Sequence, residues 1–222
     1  MRIRKKLAAE FIGTWCLVFA GTGAIIINDI SGGKISHLGI ALTFGLIVLA
    51  MIYTLGEISG AHFNPAVTLG FWAARRFESA LVLPYLCAQI AGATAASFTL
   101  RFLFPSHPTY GATIPSGSST QSFVLEVILT AILMFVILGV STGAKEKGIT
   151  AGIVVGSVIT LEAMFAGPIC GASMNPARSI APALVSMQLE NLWIYLAAPV
   201  IGALLGVVAC RCVHDHHHHG CG

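Results

Sequence analysis

Charge is scarce in this 222-residue chain: Asp, Glu, Lys and Arg together make up 9% of it, against 56% hydrophobic residues. A soluble domain carries about 25% charged residues, so the deficit argues for membrane embedding. Basic clusters with interleaved aromatics are missing, and the net charge is only +3, which gives no reason to expect a nucleic-acid partner. The basic start "MRIRKKLAAEFIGTW" is not followed by an A-x-A-like cleavage site and reads as an uncleaved first span. The six cysteines, Cys16, Cys87, Cys170, Cys210, Cys212 and Cys221, lack the paired spacing of a secreted disulfide scaffold; Cys16 and Cys87 read as buried small hydrophobes. Nowhere does a nucleophile sit with a base, so an enzyme is not expected, nor a cofactor. Clustered carboxylates are also missing from the apolar runs. That argues against an ion-coupled transporter and against the acidic rings of a cation channel.

What is present is apolar length. A bilayer core needs about 20 apolar residues per helix, and six stretches qualify: 8–28, 37–57, 80–103, 121–141, 148–168 and 192–213. Two shorter runs, 64–73 and 175–185, reach about 15 Å as helix, roughly half the hydrocarbon thickness. They read as half-helices that enter and stop. With the N-terminus in the cytoplasm, Arg2, Arg4, Lys5, Lys6, Arg75, Arg76, Lys145, Lys147 and Arg211 fall inside, and only Lys34, Arg101 and Arg178 fall on the other side. The C-terminus is then also cytoplasmic, and 104–120, "FPSHPTYGATIPSGSST", is an external loop.

The two half-helices begin with the same words. "SGAHFNPAVTLG" occupies 59–70 and "CGASMNPARSIA" occupies 170–181, 111 positions later and half the chain away. Glu10 and Thr14 in the first span parallel Glu126 and Thr130 in the fourth; "AQIAG" at 88–92 parallels "APVIG" at 198–202. Each half holds three spans and one half-helix. Three is odd, so the second half lies inverted relative to the first. The expected architecture is one all-α membrane domain over 1–213, with repeats of about 1–103 and 121–213.

The tripeptide suits a helix start at membrane depth. Asn caps the first turn and Pro at the first helical position needs no backbone partner. Inversion brings the N-termini of Asn64-Pro65-Ala66 and Asn175-Pro176-Ala177 together near the midplane, each with roughly half a positive charge. The Asn64 and Asn175 NH2 groups are expected to be free to donate into a pore. The loops 58–63 and 169–174 should line it, because irregular backbone at this depth must be buried in protein or face a wet cavity. A positive midpoint with a row of acceptors passes small neutral molecules and repels cations.

The doubled motif, together with "AEFIGT" at 9–14 and "APVIGALLG" at 198–206, resembles the major intrinsic proteins, the aquaporin and aquaglyceroporin family, over essentially the whole chain. The resemblance implies six tilted helices, two half-helices, one pore per subunit, a homotetramer, and bracing of loop backbone by Glu10 and Glu126. It also implies a four-position outer filter, which falls on Phe44, Ala163, Ala172 and Arg178. Water-selective members usually carry histidine at the second position, and glycerol facilitators an aspartate after the arginine; this chain has Ala163 and Ser179. The segment "FAGPICGASMNPARSIAPA" at 165–183 is similar to the nodulin-like intrinsic proteins of plants and their bacterial relatives, which carry glycerol, urea or undissociated metalloid acids. Two alanines remove bulk from the narrowest point while Arg178 keeps charge and donors. The expected function is a passive channel for water and such solutes in the cell membrane; the alternative is a water-selective aquaporin with an atypical filter.

Other polar residues are open. Glu57 could line the inner vestibule. Glu162, next to the filter in sequence, is expected to point away from the pore and brace a loop. His62 either lines the inner pore or packs. Gly139/Gly143, Gly152/Gly156 and Gly202/Gly206 read as close helix packing. In the tail "CRCVHDHHHHGCG", His214, His216, His217, His218 and His219 with Cys210, Cys212 and Cys221 could bind a metal, or could be the remnant of an engineered histidine tag.

Overall fold

A computed structural model describes residues 3–141 and 145–213, with side chains left undescribed at 145–149. The tail at 214–222, and with it the proposed metal ligands other than Cys210 and Cys212, lies outside the described residues. Among those residues there are eight helices and no strand. Six are long and apolar enough to cross a membrane: α1 (Ile3–Ile30), α2 (Ser36–Ser59), α4 (Ser79–Leu103), α5 (Ser119–Val140), α6 (Lys145–Cys170) and α8 (Leu192–Val213). The half-helices are α3 (Pro65–Ala73) and α7 (Pro176–Ser186). All eight match the expected runs within a few residues.

The packing is that of two interlocked copies. α1 packs on α4 as α5 packs on α8, while α2 meets α6 across the repeat. Each half-helix leans on a span of the opposite half, α3 on α8 and α7 on α4. Glycines let these backbones approach. A Cβ at Gly92 would meet the carbonyl of Phe11, and one at Gly202 would meet that of Val127. At the α2–α6 crossing Gly45 and Gly156 each face the other's carbonyl oxygen. Gly206 packs on the Ala131 carbonyl and Gly152 on the Tyr53 ring, but a Cβ at Gly139 would meet nothing within 4 Å; Gly143 is outside the described residues. The packing role expected of Gly139 is therefore corrected: its face of α5 meets none of the described residues.

Local defects are satisfied by neighbours. Pro168 inside α6 removes the N–H that would bond Met164, and His37 Nε2 sits 2.8 Å from that carbonyl oxygen. At the C-terminal end of α3, Arg211 Nη2 donates to Ala73 O at 2.7 Å, a cation where the helix dipole is negative. Two cysteines differ from expectation. Cys16 is half-buried and Cys87 is exposed, because Cys87 lies on the outward face of α4.

Candidate functional site: a symmetric cavity between the half-helices

Each half-helix is preceded by a tight loop with backbone in the left-handed region. Gly60, Ala61 and Phe63 have φ of 89°, 52° and 50°; Gly171, Ala172 and Met174, each 111 positions later, have 83°, 41° and 52°. Non-glycine residues in that region cost about 1–3 kcal/mol each and persist only where surroundings hold them. Two buried glutamates do so. The N–H groups of His62 and Phe63 donate to Glu10 Oε1 and Oε2 at 3.0 and 2.7 Å. Those of Ser173 and Met174 donate to Glu126 Oε1 and Oε2 at 2.7 and 2.8 Å. Tyr85 OH donates to Ser59 O, and Tyr195 OH to Cys170 O, both at 2.8 Å. This second mirrored brace was missed in the sequence, where both tyrosines sit inside apolar runs. The "AQIAG"/"APVIG" register, extended a few residues upstream, aligns them.

The asparagines cap as expected. Asn64 Oδ1 accepts from Ala66 N–H at 2.8 Å; Asn175 Oδ1 accepts from Ala177 and Arg178 N–H at 3.0 and 3.3 Å. Their NH2 groups are not free, however. Asn64 Nδ2 donates to Met174 O at 2.7 Å, and Asn175 Nδ2 donates to Phe63 O at 2.9 Å. One hydrogen of each amide thus ties the two loops together, and one remains for the lumen. The reason is burial: Phe63 and Met174 are 1% and 3% exposed, and an unmet acceptor there is costly.

A cavity of about 50 Å³ runs between the two loops. At roughly 10–15 Å³ per water it holds only a short file. Phe44, Ala163, Ala172 and Arg178 all line it, as do Asn64, Asn175 and His62. Arg178 is 3% exposed. Its guanidinium lies 5.2 Å from the Phe44 ring centroid, and Nη1 donates to Gly111 O at 2.8 Å. That carbonyl belongs to the 104–118 connection, which also sends Thr113 Oγ1 to Ser179 Oγ at 2.9 Å. The connection is therefore part of the site rather than a bare linker. A Cβ at Gly21 would collide with the Phe44 ring, so glycine at this position lets Phe44 lie where it does.

His62 meets both expectations at once. It lines the cavity while stacking on Phe71, and its Nδ1 lies 3.1 Å from Thr68 Oγ1. Two readings are corrected. Glu57 is exposed and does not line the cavity, because it lies on the outward face at the end of α2. Glu162 is not among the residues lining the cavity, but among the described residues it braces nothing: it is 1% exposed and neither carboxylate oxygen has a hydrogen-bond partner there. A further polar residue went unread. Gln89, part of the "AQIAG" flank, donates from Nε2 to Glu10 Oε2 and to Thr68 Oγ1 at 2.8 and 2.9 Å.

Six spanning helices, two facing half-helices and a narrow cavity with Asn64 and Asn175 at its middle and Arg178 toward one end define a membrane channel. The profile of the family described as major intrinsic protein matches residues 1–209, and the chain belongs to that family. It is similar to the aquaporin NIP1-1 of Oryza sativa subsp. japonica, 49% identical over 92% of this chain and 72% of the relative. It is also similar to nodulin-26 of Glycine max, 47% identical over 91% of this chain and 75% of that protein. The solved structure of the aquaglyceroporin from Plasmodium falciparum superposes with a TM-score of 0.84 at 27% identity, covering 92% of this chain and 94% of that one. The protein is a multi-pass membrane channel for water and small solutes, and not an enzyme.

Proposed function

We propose that the solutes include small uncharged molecules larger than water: glycerol, urea and undissociated metalloid acids such as boric or arsenous acid. The observation that carries this reading is the composition of one end of the cavity. Phe44 and Arg178 supply an apolar wall and a fixed set of donors, while Ala163 and Ala172 contribute only methyl groups. Similarity to the nodulin-like relatives supports the same reading. Ions and protons are excluded by two helix N-termini meeting at the middle and by Arg178 beyond them; both features are positive and poorly screened there. Cations therefore meet a barrier that neutral hydroxyl or amide groups do not.

The assembly is a homotetramer with one channel per subunit, consistent with large outward-facing apolar side chains such as Trp72, Phe98 and Phe102. Both termini lie on the cytoplasmic side of the cell membrane, and lipid covers the rest of the apolar perimeter. The test is stopped-flow light scattering on liposomes carrying the purified protein, with water, glycerol, urea and arsenous acid compared in one preparation. Flux of at least one solute besides water, well above protein-free liposomes, is the expected result. Water flux alone would leave a water-selective channel with an unusual filter.

A further inference from the structure

We infer that the channel holds a second, apolar size-selecting ring at the end opposite Arg178, formed by Ile52, Val67, Val155 and Ile137. This rests on the neutral-solute reading above.

The argument begins with the repeat. A shift of 111 positions carries Phe44 to Val155, Ile52 to Ala163, Ala61 to Ala172 and Val67 to Arg178. All eight residues line the same cavity. An inverted repeat sends one mouth of a channel to the other. The images of the Arg178 ring therefore lie on the far side of Asn64 and Asn175. The α1/α5 shift of 116, set by Glu10 and Glu126, carries Gly21 to Ile137.

The two rings obtain their width in opposite ways. At the Arg178 end a large ring from α2, Phe44, lies over Gly21. At the far end the image of Phe44 is the smaller Val155, and the image of Gly21 is Ile137, which itself lines the cavity. Bulk has moved from α6 to α5. The image of Ala163 is Ile52, so α2 supplies more bulk here than α6 does at the other end.

The chemistry differs as well. Val67 stands where the other ring has a guanidinium and offers no donor. Among the described residues, the one polar side chain that this end gives the cavity beyond Asn64 is His62, which is 8% exposed. Its Nδ1 is engaged by Thr68, and no protein partner of Nε2 is found among the described residues. Its image Ser173 is instead turned onto Ser179 and Asn175. A solute here meets one imidazole nitrogen on one side and branched aliphatic walls on the others. A small neutral molecule with hydroxyls along one edge and C–H along the other fits this. A species that must keep a full hydration shell does not.

The test uses full-length protein in liposomes, reading glycerol and water flux together. The variant Val155→Phe adds an aromatic ring at this end while Ile137 keeps its place, so nothing here makes the room that Gly21 makes for Phe44 at the other. Glycerol flux should fall about tenfold or more while water flux stays within about threefold, a difference of roughly 1.4 kcal/mol in barrier. Ile52→Ala, which only removes bulk, should raise glycerol flux about twofold to fivefold, again with little change in water. Unchanged glycerol flux in either variant, with water flux retained as proof of a folded channel, overturns the ring. If Val155→Phe fails to fold, Ile52→Ala decides alone. If the wild type passes water only, the neutral-solute reading fails separately. The ring is then judged by Ile52→Trp, which should cut water flux about tenfold and overturns it if water flux is unchanged.

Discussion

The two halves of this chain hold their loops with the same parts but make different use of them. Glu10 and Glu126 each accept two consecutive backbone N–H groups, Tyr85 and Tyr195 each hold the carbonyl that ends a span, and Asn64 and Asn175 each cap one half-helix while donating to the other loop. Around that shared frame the side chains diverge. In the first half Gln89 joins Glu10 to Thr68, which meets His62. In the second half no glutamine stands at the equivalent place; Ser173 and Ser179 pair at 2.6 Å and Thr113 arrives from the long connection. Polar recognition by a cation belongs to one end only, since Val67 is the image of Arg178. The frame that must be built twice is conserved between halves, and the residues that meet solute are free to differ.

The largest expected effect comes from removing the braces. Glu10→Ala strands two buried N–H groups and one hydrogen of the Gln89 amide, on the order of 3–9 kcal/mol at about 1–3 kcal/mol per unmet donor. Glu126→Ala strands two N–H groups and should cost about one donor less. Thermal unfolding of purified protein in detergent reads the difference. A larger loss at Glu126 would break the comparison, because it would make the second half the more dependent on its glutamate.

Next in size are Asn64→Asp and Asn175→Asp. Each replaces an amide donor facing a carbonyl with an acceptor, and puts negative charge beside the helix N-termini. Cation or proton leak should rise about tenfold or more for either change, and by similar amounts, because the two cross-links mirror each other. Electrical currents or a pH-sensitive dye in liposomes give the measurement. Intact exclusion in the double variant would move the barrier to Arg178. Smallest are Tyr85→Phe and Tyr195→Phe, each losing one buried hydrogen bond worth about 1 kcal/mol. The two should agree within a few tenths of a kcal/mol in unfolding experiments, and a clear inequality would show that the frame is not equivalent in the two halves.

Much of the fold could be read directly. Span lengths, the short runs after each Asn-Pro-Ala and the odd number of spans per half lead to the inverted repeat, and the helix bounds follow closely. The filter positions came from the family resemblance, which spacing from Asn64 and Asn175 carried onto Phe44, Ala163, Ala172 and Arg178. What escaped was the environment of single polar groups. Gln89 and the tyrosines lie in apolar runs, where nothing local distinguishes an inward polar atom from a lipid-facing one. Glu162 has the same ambiguity with the opposite outcome, since helix rotation leaves it out of the cavity lining yet brings no partner among the described residues. The asparagine amides were misjudged because one hydrogen serves a carbonyl 110 or 112 residues away, a contact no local pattern contains.

The central claim is that methyl groups at Ala163 and Ala172 leave the Arg178 end wide enough for solutes larger than water. Ala172 sits at φ 41°, where a β-branched residue would be strained, so narrowing is best made at Ala163 alone. The decisive measurement is glycerol and water flux of Ala163→His beside wild type in the same liposomes. An imidazole entering from α6 toward Phe44 and Arg178 should cut glycerol flux about tenfold or more and leave water flux within about threefold. Equal glycerol flux in the two proteins, with water flux retained, would contradict the account, because the alanine would then not set the width through which solute passes.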